Sequence, residues 1–243
     1  MASAVCIAGM HRSGTSMVAA ILASGGLYLG GEDDFVPVTD ANPEQHFEHA
    51  QFVELNDAVL ATLGAAWDVP PGRAAWLRYG RRLEPLRRRA RELVQELATD
   101  VPWGWKDPRN SLTLPFWLDV VPNLRVVACY RDAVAVSHSL VRRQQYSELF
   151  GQRLWAAYNL RLVRAAPPDR TVYTAYEAYF TATRREVERL FAGAGLAASH
   201  GRLERAASLV KPSLRHHAVD YDPAGLPRVV RHARRTLLAA AGG

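Results

Sequence analysis

The sequence predicts an α/β fold of three layers, with a mostly parallel sheet flanked by helices. Three observations carry that prediction. Short apolar runs at 4–8, 103–106, 124–130 and 171–175 alternate with longer amphipathic stretches, the order of strand–helix–strand units. A glycine loop joins the first run to the first helical stretch. Basic side chains close the second run and follow the third, at the carboxyl ends of strands, where parallel sheets bind their ligands.

The elements follow in order. Ala4 to Ala8 (Ala-Val-Cys-Ile-Ala) is apolar enough for a buried strand, and Thr15 to Ala23 reads as a helix stopped by Gly25-Gly26. Gly30 to Pro43, with Glu32, Asp33, Asp34 and Asp40, is expected to be a loop. A helix is expected from Pro43 to Leu63, with Phe47, Phe52, Leu55, Val59 and Leu63 on one face. Residues 76–98 are expected to form one amphipathic helix carrying Arg81, Arg82, Arg87, Arg88, Arg89 and Arg91. Glu84, Glu92 and Glu96 lie among those arginines and no aromatic residue interleaves with them. That pattern suits a solvated face better than a nucleic-acid platform. Trp103 to Lys106 is a short strand entering Asp107-Pro108-Arg109. Leu124 to Tyr130 is the strongest strand, followed by Arg131-Asp132 and a helix to about Arg143. A helix over 147–165 is broken by Pro167-Pro168, and the strand Thr171 to Ala175 leads into a helix ending near Ala194.

Composition narrows the class. A chain of 243 residues, 49% hydrophobic, suits a single domain over 1–243 with a sizeable core. No apolar run reaches the length of a membrane span and no leader pattern opens the chain, so a soluble, cytoplasmic protein is expected. Cys6 and Cys129 fall in predicted buried strands and imply no disulfide framework. A net charge of +6 favours anionic ligands. Of the 30 basic residues only Lys106 and Lys211 are lysines.

The loop is the chemical centre of the sequence. Gly9-Met-His-Arg-Ser-Gly-Thr-Ser16 keeps the G-x-x-x-x-G spacing of a phosphate loop, but Thr15 stands where such loops carry the lysine that reaches β- and γ-phosphates. Arg12 is its fixed cation. Backbone N–H groups at a helix N-terminus form an anion site. Without the lysine, the loop points away from ATP and toward another phosphorylated donor.

The ordered set of segments resembles the sulfotransferase family, which transfers sulfuryl from 3′-phosphoadenosine 5′-phosphosulfate (PAPS). Residues 9–16 look like its 5′-phosphosulfate loop, with the cation at Arg12. Tyr130-Arg131 to Ser139-Leu140 looks like its 3′-phosphate segment, and Tyr176-Glu177 like the Tyr-Glu-Asp segment whose Tyr lies near the adenine in some members. Lys106-Asp107-Pro108-Arg109 and Leu214-Arg215-His216-His217 are similar to segments of a bacterial branch. The chain departs from the pattern at Asp132-Ala133, where the family has Asn-Pro, and at Ala178, where it has Asp. The Gly- and Lys-rich donor loop of the animal enzymes is absent, leaving Lys211 and Arg215 as its candidate substitutes.

The resemblance implies a P-loop-like fold, PAPS as donor with the bisphosphate PAP as product, and no metal. Ser13, Gly14, Thr15 and Ser16 would hold the 5′-phosphate, while Arg12 and Lys106 would neutralise the leaving side. Arg131 and Ser139 would hold the 3′-phosphate, with Ser137 as an alternative, and Tyr176 would lie near the adenine. Sulfuryl transfer needs a base for the hydroxyl proton. Asn42 to His49 offers His46, Glu48 and His49; an aromatic–Glu pair after Asn-Pro in relatives favours Glu48, with Asp107 second. His46 and His49 alone supply too few ligands for a zinc site. The acceptor would be a hydroxyl of a small molecule, carbohydrate or secondary metabolite, with Trp67, Trp76, Tyr146 and Trp155 as candidate pocket residues. Two other classes stay open. A nucleotide-dependent kinase should carry a lysine at 15 and a Mg²⁺-binding Asp. A non-catalytic basic nucleotide- or RNA-binding protein would explain the charge, but not the convergence of Lys106, Arg131 and the loop at strand ends. Neither nucleic acid nor a membrane is expected as a partner.

Overall fold

A computed structural model describes residues 3–37, 47–98, 100–144, 146–211 and 221–242. Four strands, β1 (Ala4–Ala8), β2 (Trp103–Lys106), β3 (Arg125–Tyr130) and β4 (Thr171–Ala175), form one parallel sheet in the order β2-β1-β3-β4. β1 is therefore interior, with Cys6 opposite Trp105 on one side and Val126 on the other. The helices are α1 (Thr15–Ser24), α2 (Ala50–Thr62), α3 (Arg73–Tyr79), α4 (Glu84–Leu97), α5 (Asn110–Val120), α6 (Ala133–Gln144), α7 (Glu148–Ala165), α8 (Thr183–Ala194), α9 (His200–Ser208) and α10 (Arg228–Ala241).

Side chains alternate across the pleat, so each interior strand feeds two cores. Cys6, Ala8, Trp105, Val126 and Ala128 pack with Phe52 and Leu55 of α2, Leu93 of α4 and Phe116 and Trp117 of α5. Val5, Ile7, Val127 and Cys129 pack with Ile21 of α1, Leu190 and Phe191 of α8 and Leu203 of α9. A third cluster joins Met10 to Val136, Trp155, Tyr158, Val230 and Leu237, from α6, α7 and α10. The three layers and parallel sheet match the expectation, and both cysteines are buried and unpaired.

Two expected helices are corrected. The helix placed over 43–63 begins at Ala50; residues 38–46 lie outside those described. Phe47 takes a left-handed φ of 54° and the Val36 N–H donates to the Glu48 carbonyl at 2.8 Å, so this backbone pairs with residues 35–36 instead of coiling. The single helix placed over 76–98 is two, split by a 3₁₀ turn at Gly80–Leu83. Pro85 sits in the first turn of α4, where its missing N–H costs no hydrogen bond. Arg87, Arg89 and Arg91 pair with Asp119, Glu54 and Glu84 at 3.1, 2.7 and 3.2 Å, as a solvated face does. The helix ending near Ala194 is preceded by a 3₁₀ turn, Tyr176–Phe180, and α5, α9 and α10 were not anticipated.

Candidate active site

The loop leaves β1 at Gly9, where φ is 151° and a Cβ would lie 2.4 Å from the Cys129 carbonyl oxygen of β3. The Gly9 N–H donates to Ser111 Oγ at 2.9 Å, fastening the loop to α5. The Ser13 N–H closes the turn onto the Met10 carbonyl at 3.1 Å, so the anion-facing amides begin at Gly14 and Thr15, where the first N–H groups of α1 have no acceptor within the helix. Ser13 Oγ is buried and has no hydrogen-bond partner among the described residues, which suits a phosphate oxygen.

Gly14 is the N-cap of α1 with φ 85°, and a Cβ there would meet Tyr176 Cδ2 at 2.4 Å. Tyr176 thus packs against the loop, and the Arg131 guanidinium lies 4.3 Å from its ring centre. Arg131, which Trp155 Nε1 anchors through its carbonyl at 2.9 Å, reaches the Arg12 carbonyl at 3.4 Å. Arg12, itself at φ 70°, donates from Nε to Ser139 Oγ at 2.9 Å. Two segments 127 residues apart are thereby joined side chain to side chain.

At the neighbouring strand end Lys106 Nζ meets Glu48 Oε1 at 2.8 Å. The lysine is 1% exposed and the glutamate 21%. Burial would raise the Glu48 carboxyl, but the Lys106 charge and hydrogen bond, with His11 and Arg109, take it below the ordinary carboxylate range. Burial draws the Lys106 ammonium down while Glu48 opposes it; with a hydrogen-bonded counter-charge in place, the pair is read as ionised.

Beneath this pair lies a buried amide hub. Asn56 donates to Asp107 Oδ2 at 2.8 Å and Asn110 Oδ1 at 3.0 Å, and accepts from Thr113 Oγ1 at 2.6 Å and Trp117 Nε1 at 2.8 Å. Asp107 also accepts from the backbone N–H and Nη1 of Arg109, at 2.9 and 3.1 Å. Both its oxygens are thus bonded in a fully buried position, and burial raises its carboxyl above the usual range.

His11 stands beside the pair. Its ring meets Trp67 edge-on at 4.9 Å and Tyr158 at 6.1 Å. Burial lowers its pKa to about 3, helped by Arg109, Lys106 and Arg12 and opposed by Glu48.

The model of the sulfotransferase family matches residues 4–200. The chain belongs to the sulfotransferase family. Among solved structures, it is similar to the sulfotransferase domain of the Synechococcus PCC 7002 olefin synthase, at 17% identity over 98% of this chain and 95% of that one, with a TM-score of 0.58. It is also similar to sulfotransferase STF1 of Mycobacterium tuberculosis, at 13% identity over 98% and 77% with a TM-score of 0.61. The sulfotransferase domain of the curacin biosynthetic pathway gives 14% identity over 98% of both chains and a TM-score of 0.60. At such identities the likeness is one of fold. No curated protein matches the chain.

Within this sulfotransferase frame the expected residues divide. Arg12, Ser13, Gly14, Thr15, Ser16, Arg131, Ser139 and Tyr176 gather around the loop, and Glu48 joins Lys106. Ser137 turns away, its hydroxyl donating to the Val134 carbonyl at 2.9 Å inside α6. His49 is buried against Phe52 and lies 4.0 Å from Asp34. Lys211 is exposed beyond α9, and Arg215, His46, His216 and His217 lie outside the described residues. Trp155 is core, Trp76 packs on the first core cluster, Trp67 meets His11, and Tyr146 packs on Trp67 with ring centres 6.0 Å apart. Among the described residues no three metal-binding side chains converge, and no helix is long and apolar enough to cross a membrane. His11, Asn56 and Ser111 escaped the sequence reading. A histidine inside a phosphate loop was the visible signal for the first; nothing local marks the others.

Proposed function

We propose that the protein transfers the sulfuryl group of PAPS to a hydroxyl of a small molecule, carbohydrate or secondary metabolite by in-line displacement. The Arg12–Ser139 hydrogen bond carries this reading. It unites the segment suited to a 5′-phosphate with the one suited to a 3′-phosphate, and ATP has no 3′-phosphate to use the second. The Ser13 hydroxyl, without a partner among the described residues and placed at the N-terminus of α1, fits an anionic donor.

The donor supplies an activated sulfuryl group; the residues bind, neutralise and position it. Gly14 and Thr15 amides with Ser13 Oγ would hold the 5′-phosphate, and Arg131 with Ser139 the 3′-phosphate. Arg12 and Lys106 would face the charge that grows on the leaving oxygen, a preorganised electrostatic role. Glu48 is the carboxylate whose negative charge favours removal of the acceptor's proton. Trp67, Tyr146 and Phe150, the last two with ring centres 4.7 Å apart, form an aromatic wall for the acceptor. No step calls for a metal.

Calorimetric titration with PAP, with Mg·ATP and with 5′-AMP tests the donor. Metal-independent PAP binding, at least tenfold tighter than AMP, is expected, while preference for Mg·ATP would replace this reading with a kinase. Glu48→Gln should leave PAP binding within about threefold of wild type and remove most turnover, on the order of 10²-fold or more.

A further inference from the structure

We propose that His11 is a catalytic residue whose Nε2 receives the proton of the acceptor hydroxyl, with Glu48 stabilising the imidazolium that results. This rests on the sulfuryl-transfer reading and names the first stop of the proton within it.

Four observations carry it. His11 immediately precedes Arg12 in the loop, so its ring is placed by the same backbone that places the leaving-group cation. Its Nε2 is shut off from solvent and has no hydrogen-bond partner among the described residues, although the ring as a whole is only half-buried. A buried polar atom left without a partner in a native site calls for one, and a substrate O–H would supply it. The edge of Trp67 at 4.9 Å and the ring of Tyr158 at 6.1 Å fix the imidazole plane, and Tyr158 Oη in turn donates to the Trp67 carbonyl at 2.6 Å. Finally, Glu48 is already bonded to Lys106, so its carboxylate is better placed to hold a charge pair than to take a proton itself.

The groups acting on the ring come from every side. Arg12 lies in the loop, Lys106 at the end of β2, Arg109 at the start of α5 and Glu48 before α2; Trp67 and Tyr158 are neutral. Burial first, and then the three cations, keep the imidazole unprotonated in the empty protein. An anionic donor beside them offsets their repulsion and makes the same imidazole more basic when the acceptor arrives. In the step itself, the acceptor oxygen bonds to sulfur as the bond from sulfur to the 5′-phosphate oxygen breaks. The electron pair leaves with that oxygen beside Arg12 and Lys106, and the hydroxyl proton passes to Nε2 and later to solvent. The tautomer required carries its proton on Nδ1.

The test combines three readouts on the full chain. First, PAP affinity is measured by calorimetry in wild type and His11→Asn, and is expected to agree within about threefold, since the imidazole is not a donor-binding group. Second, sulfate release from radiolabelled PAPS to water, the simplest hydroxyl acceptor, is followed against pH. His11→Asn should lose roughly 10²- to 10⁴-fold, with the acidic limb of the wild-type profile gone. Third, histidine side-chain ¹⁵N NMR of the wild type should show an Nε2 that is unprotonated at neutral pH and an imidazole whose pKa rises when PAP and sulfate are added. An Nε2 that carries a proton at neutral pH, or a titration that PAP leaves unmoved, would overturn the proposal, whatever the rate of hydrolysis. Wild-type hydrolysis and profile in His11→Asn would do the same. A wild type that binds no PAP would instead remove the donor reading beneath it.

Discussion

The loop end of the site and the Glu48–Lys106–His11 corner lie side by side, yet they are built in opposite ways. The loop is shaped by backbone: left-handed or positive φ at Gly9, Arg12 and Gly14, a helix N-terminus, and an aromatic ring laid on a glycine. Its charge, Arg12, is partly exposed and held by a serine. The corner is shaped by side chains drawn from three segments, and its cation, Lys106, is buried. A backbone cradle holds an anion with few desolvated charges of its own. Buried charges are retained at a cost in stability, which makes them the stronger sign of chemistry.

The largest effect should come from breaking the corner. Lys106→Ala leaves the Glu48 carboxylate without its counter-charge, and a loss of about 3–5 kcal/mol in chemical denaturation is expected. Turnover should fall on the order of 10²- to 10³-fold, as for loss of a transition-state donor. If stability fell while turnover held, the corner would be structural only. Gly14→Ala breaks the loop instead. The new Cβ at φ 85° would meet Tyr176 at 2.4 Å, so about 1–3 kcal/mol of stability and at least tenfold in PAP affinity should go together.

A pH series separates the two regions next. His11 has a folded pKa near 3 against an ordinary value of 6.5, so below 6.5 the unfolded chain binds a proton that the folded one refuses. Stability should therefore drop by roughly 2 kcal/mol between pH 6.5 and 4.5 in wild type, and by that much less in His11→Asn. Equal slopes in the two proteins would mean that the imidazole is not held neutral. The smallest expected effect is at the loop's partner helix. Ser139→Ala should weaken PAP several-fold without changing AMP, about 1 kcal/mol, whereas Ser137→Ala should change neither.

Much of the architecture was legible because its signals are local. All four strands, the loop and the helices over 133–144 and 148–165 follow from apolar runs, glycines and prolines. The helices α5, α9 and α10 were missed for different reasons. α5 carries Pro115 and is buried nearly all round, with Leu112, Leu114, Phe116 and Trp117 inside, so it shows no amphipathic stripe. α9 is short, and both α9 and α10 carry several arginines; Leu203, Val230 and Leu237 give them a core to enter. The start of α2 was misplaced because pairing of Glu48 with Val36 overrides the helical pattern around it.

The site divides along the same line. Local pattern pointed to Arg12, Lys106 and Arg131 as the cations, because strand ends and a phosphate-loop spacing are local facts, while Glu48 was favoured over His46 and His49 only by the family resemblance. Only the tertiary structure paired Glu48 with Lys106, chose Ser139 over Ser137 to face the loop, tied Asp107 to Asn56, and left His11 Nε2 enclosed without a partner among the described residues. The physical reason is range. Backbone conformation and hydrophobic period are properties of a few consecutive residues, whereas the partner and burial of a charge depend on chain segments tens of residues away, brought to the same strand ends by the sheet order β2-β1-β3-β4.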